Sequence, residues 1–371
     1  MKLIILRNNI REGLSIIERA VGDDANLPIL KNVLIKAESG NKLSLSATNL
    51  EIGIDAWITG KIIEEGNITV PFATLHTVIG NSDSDRINME TKGDNLMIKT
   101  DNYDATIQGL PPEDFPIIPK IENKELSIEI KAFTFKDALQ EIISAAQISE
   151  IRPEISGILF DFQLTAIKLV ATDSFRLAEK TLFNNQFQTN IKHGYKIIIP
   201  LKTVHEVIRS FKDDDILTIQ IDPHQILFKT QAHQIISRLI NGTYPDYEQI
   251  IPKVIENEIV VNREKLLNAV KLVGNFSGKS NDIQMRVKNG ISTLEVFSIH
   301  QHLGENSYLI PIKAKKEINE LSFNWKYLFD GLKALKGEII ILGINGDAKP
   351  AILKPQEDAS YFYLAMPIKS T

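Results

Sequence analysis

The chain has no cysteine among its 371 residues. That excludes disulfide frameworks, thiolate nucleophiles, thiolate zinc sites and iron–sulfur ligation together, and it fits a reducing compartment. Long apolar runs are also missing. The run Leu3 to Leu6 stops at Arg7, short of the about 7–15 residues of a signal-peptide core, and no stretch approaches the roughly 18 residues of a membrane helix. A cytoplasmic chain with no membrane partner is therefore expected. Nor is there an excess of positive charge: 42 Lys and Arg face 47 Asp and Glu, a formal net charge of −5. Any nucleic-acid contact needs a locally basic surface on an acidic body. With 43% apolar and 24% charged residues the chain is not disordered, and its length predicts roughly two to three domains.

Internal repeats are present. Asp114-Phe115-Pro116-Ile117-Ile118-Pro119-Lys120-Ile121 is echoed by Tyr247-Glu248-Gln249-Ile250-Ile251-Pro252-Lys253-Val254, and Ala47-Thr48-Asn49 recurs as Ala171-Thr172-Asp173. Each proline-bearing segment leads into an extended stretch and then a helical one. Leu126 to Ile130 precedes Phe135, Leu139 and Ile142; Ile259 to Val261 precedes Leu266, Val270 and Val273. The chain start follows the same order, with Leu3 to Leu6 before Ile10, Leu14 and Ile17. A second helical segment follows midway through each unit, at Pro71–Ile79, Pro200–Ile208 and Asn324–Leu332. The first two open on proline, which suits a helix's first turn because its missing N–H needs no partner there. Alternation as in Lys42–Ala47 marks half-buried strands. The pattern predicts three units, 1–122, 123–256 and 257–371, each with two short helices and a set of strands.

Catalytic motifs are weak. Gly274-Asn275-Phe276-Ser277-Gly278-Lys279-Ser280 has three residues between its glycines, where a phosphate-cradling loop needs four, and it follows a helix where a strand is required. It reads as a helix-to-strand loop. Of the seven histidines only His300 and His302 are close, without carboxylates at ligand spacing. No serine sits in a nucleophile-elbow setting. No cofactor, metal or catalytic residue is expected.

Basic residues are more informative. Lys202, His205, Arg209 and Lys212, spaced 3, 4 and 3, form one stripe on the middle unit's second helix. Lys326, Lys333 and Lys336 share one side of the third unit's counterpart, with Asp330 among them. Arg11, Lys136, Lys265 and Lys271 fall on the first helices. One such helix reads as a solvated face; recurrence on equivalent helices of an acidic chain points to phosphate. At the C-terminus, Tyr361 to Met366 reads as a final packed strand. Pro367 and Ile368 either extend it or line a groove for a partner's apolar anchors.

Leu27-Pro28-Ile29-Leu30, Ala171-Thr172-Asp173-Ser174-Phe175-Arg176-Leu177-Ala178, Tyr244-Pro245-Asp246-Tyr247 and the closing Met366-Pro367, in this order, resemble the bacterial DNA polymerase III β subunit family, the sliding clamps. The resemblance covers essentially the whole chain. It implies an α+β fold of three repeated clamp-type domains, each with two helices packed on antiparallel sheets, and a head-to-tail homodimer closing a ring around duplex DNA. It further implies a non-catalytic processivity role and DNA contact without sequence specificity, with Arg11, Lys136, Lys202, Arg209, Lys212, Lys326, Lys333 and Lys336 as phosphate-facing candidates. Linear peptides of the DNA polymerase III catalytic subunit, the clamp loader and repair proteins would enter an apolar pocket. Its implied walls are Arg152, Ile155, Thr172, Ser174, Phe175, Arg176, Leu177, Pro245, Gln249, Ile250, Tyr327, Pro350, Leu364, Met366, Pro367 and Ile368. Many family members carry Gly-His where Ser174-Phe175 stands, and often arginine at Gln249. The subunit interface would pair the strand near Ile107 with the segment near Phe276. Two other readings stand beside it: a peptide-binding scaffold of the same fold without DNA, and an enzyme built on the glycine loop.

Overall fold

The structure, a computed structural model, describes residues 1–121, 126–288 and 290–369. The expected first domain boundary, at 122/123, and the outer bound at 371 lie outside the described residues. Six α-helices occur among them: α1 (Arg7–Ile17), α2 (Phe72–Asn81), α3 (Ala132–Ile142), α4 (Leu201–Ser210), α5 (Arg263–Gly274) and α6 (Trp325–Ala334). The periodic apolar residues form their buried stripes. Ile10, Leu14 and Ile17 of α1, Phe135, Leu139 and Ile142 of α3, and Leu266, Val270 and Val273 of α5 are at most 1% exposed. Each of these helices follows directly on a strand: Lys2–Leu6, Ser127–Lys131 and Asn257–Asn262.

The second helices start differently from expectation. Pro71 and Pro200 are the last residues of the strands Gly66–Pro71 and Tyr195–Pro200, and the helices begin one position later. Their register partners are Asn32 and Gly157, so the fixed φ of proline serves the strand end and the helix entry together. On α5 and α6 asparagine performs the entry. Asn262 and Asn324 accept hydrogen bonds from the backbone N–H groups of Lys265 and Lys326, at 3.1 and 3.0 Å.

The described chain packs into two compact units. Unit one holds Met1–Phe133, Gln188–Ile191 and His205–Leu239; unit two holds Thr134–Phe187, Lys192–Val204 and the chain from Ile240. Three sequence repeats give two packing units because adjacent thirds share sheets. In unit one, the strand Ile52–Thr59 of the first third pairs with His233–Arg238 of the middle third inside a nine-stranded sheet. In unit two, Arg176–Phe183 of the middle third pairs with Tyr361–Ala365 of the last, inside a second nine-stranded sheet. Unit one also carries a five-stranded sheet ending in Asp104–Gln108, and unit two a four-stranded sheet ending in Gly304–Pro311. Every described pairing is antiparallel, which leaves one face of each sheet free to receive helices.

Candidate functional site

The site in unit two begins with a turn. Strand Ala166–Thr172 reverses into Arg176–Phe183, and short polar side chains hold the reversal. Thr172 Oγ1 donates to the Arg176 carbonyl at 2.6 Å and accepts from the Ser174 N–H at 3.2 Å. Asp173 Oδ1 accepts from the N–H groups of Phe175 and Arg176 at 2.9 and 3.1 Å. This geometry puts Ser174 at φ +79°, a left-handed conformation that glycine adopts most easily. The turn then aims its next two residues. Phe175 projects outward, 60% exposed, its ring 6.5 Å from that of Tyr327 and tilted by 23°. Arg176 turns inward, pairs with Asp173 at 2.8 Å and Asp330 at 2.6 Å, and lies 4.5 Å over the Tyr327 ring. Burial opposes its charge, yet Tyr363, Asp330 and Asp173 outweigh that penalty and raise its pKa above the ordinary value.

The floor is apolar. Leu177 opposes Leu364 across the strand pair, and both join Val170, Tyr244, Tyr247 and Ile352 in one buried cluster. Tyr244 donates its hydroxyl to the Val170 carbonyl at 3.3 Å, which keeps that polar tip satisfied inside the cluster. Pro245, Asp246, Tyr247 and Ile250 form one wall. Arg152 and Ile155 form another, and Pro350 and Met366 complete the rim. Arg152 reaches over to donate to Ser174 Oγ at 2.9 Å while pairing with Glu154 at 3.1 Å. The cavity within this open groove is about 200 Å3. An apolar floor with the half-exposed Arg152 guanidinium at its edge suits an extended peptide with large apolar side chains and a carboxylate.

Of the expected pocket residues, Gln249, Tyr327, Pro367 and Ile368 are not on the cavity wall. Tyr327 stands behind Phe175 and supports it. Gln249 donates to Asp246 at 2.7 Å instead. The Ile368 N–H donates to the Ser322 carbonyl at 2.8 Å, which ties the end of the chain to strand Leu321–Asn324. Sequence reading missed Asp246 and Tyr247 as lining, although both stand in the Tyr244–Tyr247 motif; only the turn into the short helix Tyr247–Ile250 brings them to the wall.

The basic candidates separate into two groups. Arg11, Lys202, Lys326 and Lys333 are exposed on α1, α4 and α6 and have no ion pair among the described residues. Lys326 lies 6.0 Å from the Trp325 ring. The others are engaged. Arg209 approaches Glu206 at 4.0 Å, and Lys212, just beyond the end of α4, pairs with Glu12 at 3.0 Å. Lys336 pairs with Asp137, and with the buried Glu141 at 2.6 Å. Lys136 on α3 is half-buried. The two interface candidates are not alike. Ile107 lies on the outermost strand of the five-stranded sheet, but its side chain is 5% exposed. Phe276 is on no strand; it follows α5 in a turn, its N–H bonded to the Val273 carbonyl at 3.0 Å. Gly304–Pro311 is an edge strand of the four-stranded sheet. The glycine loop from Gly274 is the turn and single 3-10 turn that join α5 to strand Asp282–Lys288.

Three repeats of two helices, antiparallel sheets shared between neighbouring thirds, and an apolar groove define a three-domain clamp subunit. Family models agree along the chain: the N-terminal domain of the DNA polymerase III beta subunit matches residues 1–119, its central domain 129–246 and its C-terminal domain 248–369. The chain belongs to the DNA polymerase III beta subunit family. It is 26% identical to the beta sliding clamp of Synechococcus elongatus, over 100% of this chain and 99% of that one. It is 25% identical to the beta sliding clamp of Bacillus subtilis over 100% of both. The solved Bacillus subtilis DNA polymerase sliding clamp superposes with a TM-score of 0.94 at 24% identity, covering both chains fully. A putative DNA polymerase III beta subunit from Eubacterium rectale gives 0.91 at 25%, again over both full chains. The function is that of a sliding clamp in DNA replication, and the DNA-free scaffold reading is not favoured. No helix among the described residues is long and apolar enough to cross a membrane.

Proposed function

We propose that two copies of this chain close head to tail around duplex DNA in the cytoplasm, and that the groove of unit two tethers clients to the ring. The clients are the DNA polymerase III catalytic subunit, the clamp loader and repair proteins, each through a short linear peptide. The chain itself catalyses nothing and raises processivity by keeping its clients on the template. Exposed cations on the helices, Arg11, Lys202, Lys326 and Lys333 foremost, meet phosphates; such contacts carry no sequence information, so the ring slides. The observation that carries this reading is the apolar groove of about 200 Å3 within a chain that matches the three clamp domains in order.

Peptide anchors in a groove of this kind dominate the binding energy. Phe175, exposed and supported by Tyr327, offers a flat apolar platform, while the half-exposed Arg152 favours an acidic neighbour on the peptide. The test is retention. Loaded protein should stay on a closed circular plasmid and run off after linearisation; equal retention on both forms removes the encircling role. Phe175→Ala should weaken a client peptide about tenfold, about 1.4 kcal/mol, with DNA retention unchanged, and titration of a fluorescent peptide reads this directly.

A further inference from the structure

We infer that unit one carries a second, smaller peptide-docking site, the repeat counterpart of the groove in unit two. Its ligand is a short extended segment of a partner protein bearing one aliphatic side chain beside a carboxylate. The inference takes its ligand chemistry from the groove reading above.

The turn of the groove is reproduced bond for bond. Thr48 Oγ1 donates to the Ile52 carbonyl at 3.0 Å and accepts from the Leu50 N–H at 3.0 Å. Asn49 Oδ1 accepts from the N–H groups of Glu51 and Ile52 at 3.0 and 2.8 Å. Leu50 takes the left-handed position at φ +71°, as Ser174 does at +79°. The neighbouring strand also keeps its register. Gly53 opposes Ile236 as Leu177 opposes Leu364, and the Arg238 N–H donates to the Glu51 carbonyl at 3.0 Å as the Met366 N–H does to Phe175 at 2.9 Å. Along the next strand, Leu227 opposes Ile236 as Ile352 opposes Leu364, so Gln225 takes the place of Pro350. The repeated proline-bearing segment supplies the second wall, with Ile117 where unit two has Ile250.

Leu50, Glu51, Gly53, Ile117, Ile236 and Arg238 are among the residues that line an open cavity of about 80 Å3, against about 200 Å3 in unit two. The difference has a cause: glycine replaces leucine on the floor, and Ile118 closes into the space that leaves, 2.8 Å from where a Cβ on Gly53 would stand. One anchor fits where the larger groove takes more. Two features at the mouth await a partner. Ile117 is 93% exposed, the most exposed large apolar side chain among the described residues. Arg238, also exposed, lines the cavity and has no ion pair among the described residues. Ile117 and Arg238 line the same small cavity, so a chain whose apolar side chain covers Ile117 meets that guanidinium at the same mouth, which favours a carboxylate beside the anchor.

The probe is acetyl-Ser-Ser-Leu-Asp-Ser-amide, titrated into the full-length protein carrying 13C-methyl isoleucine and leucine. Saturating shifts of the Leu50, Ile117 and Ile236 methyls are expected, with a dissociation constant on the order of millimolar, as a single anchor allows. Arg238→Glu, and separately an Asn in place of the probe's Asp, should each weaken binding at least fivefold. Ile117→Ser should do so too without unfolding, since that side chain is in solvent. Non-saturating or absent shifts at these methyls, or equal affinity in both variants, overturn the site. The Ile250 and Leu364 methyls report the unit-two groove in the same spectra, so failure of one site is told from failure of the other.

Discussion

His233 shows how one side chain links burial to pH. It is 3% exposed, stacked on Phe211 with ring centroids 4.5 Å apart, and among the described residues neither ring nitrogen has a hydrogen-bond partner. Burial pushes its pKa down from 6.5 to about 4; Asp215 opposes that shift and Lys212 adds to it. The folded state therefore binds the proton less well than the unfolded chain. Its stability contribution is complete above pH 6.5, falls as the pH drops towards 4, and is level below that. The full span is about 3 kcal/mol. His233→Phe should remove this part of the acid sensitivity, so the loss of stability between pH 7 and 4.5 in urea titrations should be smaller in the variant. An identical loss in both proteins contradicts the assignment. Arg176 is the opposite case, a charge kept by partners. Arg176→Met leaves Asp173 buried without its cation, which should cost about 3 kcal/mol. A lower urea midpoint at unchanged m-value checks it.

Helix contacts set by glycine give a paired test. A Cβ on Gly274 of α5 would sit 2.5 Å from the Trp325 ring of α6, so Gly274→Ala should cost about 1–3 kcal/mol by forcing the helices apart. Gly80 on α2 has open space around the same position, and Gly80→Ala should gain about 0.5–1 kcal/mol by helix propensity. Thermal midpoints moving in opposite directions confirm both. Such contacts also mark where the sequence is readable. The helices are legible because their buried stripes repeat with the helical period; the Thr-Asn and Thr-Asp pairs are legible as a repeat, and their role as turns comes from the hydrogen bonds of their side chains. His300 was not legible. Its Nδ1 accepts from the N–H groups of His302 and Leu303 at 3.2 and 3.3 Å, the task Asn49 and Asp173 perform in the other repeats. That role appears only once strands Thr293–His300 and Gly304–Pro311 are paired. The sharing of sheets between thirds was hidden for the same reason: a strand's pattern states which face is buried, not which distant strand lies beside it.

Charge placement in the complete assembly decides how a protein of net charge −5 holds a polyanion. Under the proposed ring, retention is topological and needs only enough cations to make sliding smooth. The sequence stripe counted Lys336 with Lys326 and Lys333, yet Lys336 is spent on Asp137 and the buried Glu141, which also holds Lys180 at 2.9 Å. Replacing it removes a structural ion pair, whereas Arg11, Lys202, Lys326 and Lys333 have no such duty. The quadruple change of those four to glutamate should leave the melting temperature near that of the parent and weaken binding of the unloaded protein to linear duplex DNA. The dependence of that binding on salt should also flatten, since each phosphate no longer neutralised by the protein lowers the slope by about 0.9. Lys336→Glu should do the reverse: it places a third carboxylate beside Asp137 and Glu141, so the melting temperature falls first and DNA binding follows only through the fraction unfolded. Affinity for linear duplex DNA between about 50 and 200 mM salt, read beside thermal melts of the same variants, separates the two. A quadruple variant with the parent's salt slope would mean that other cations face the DNA.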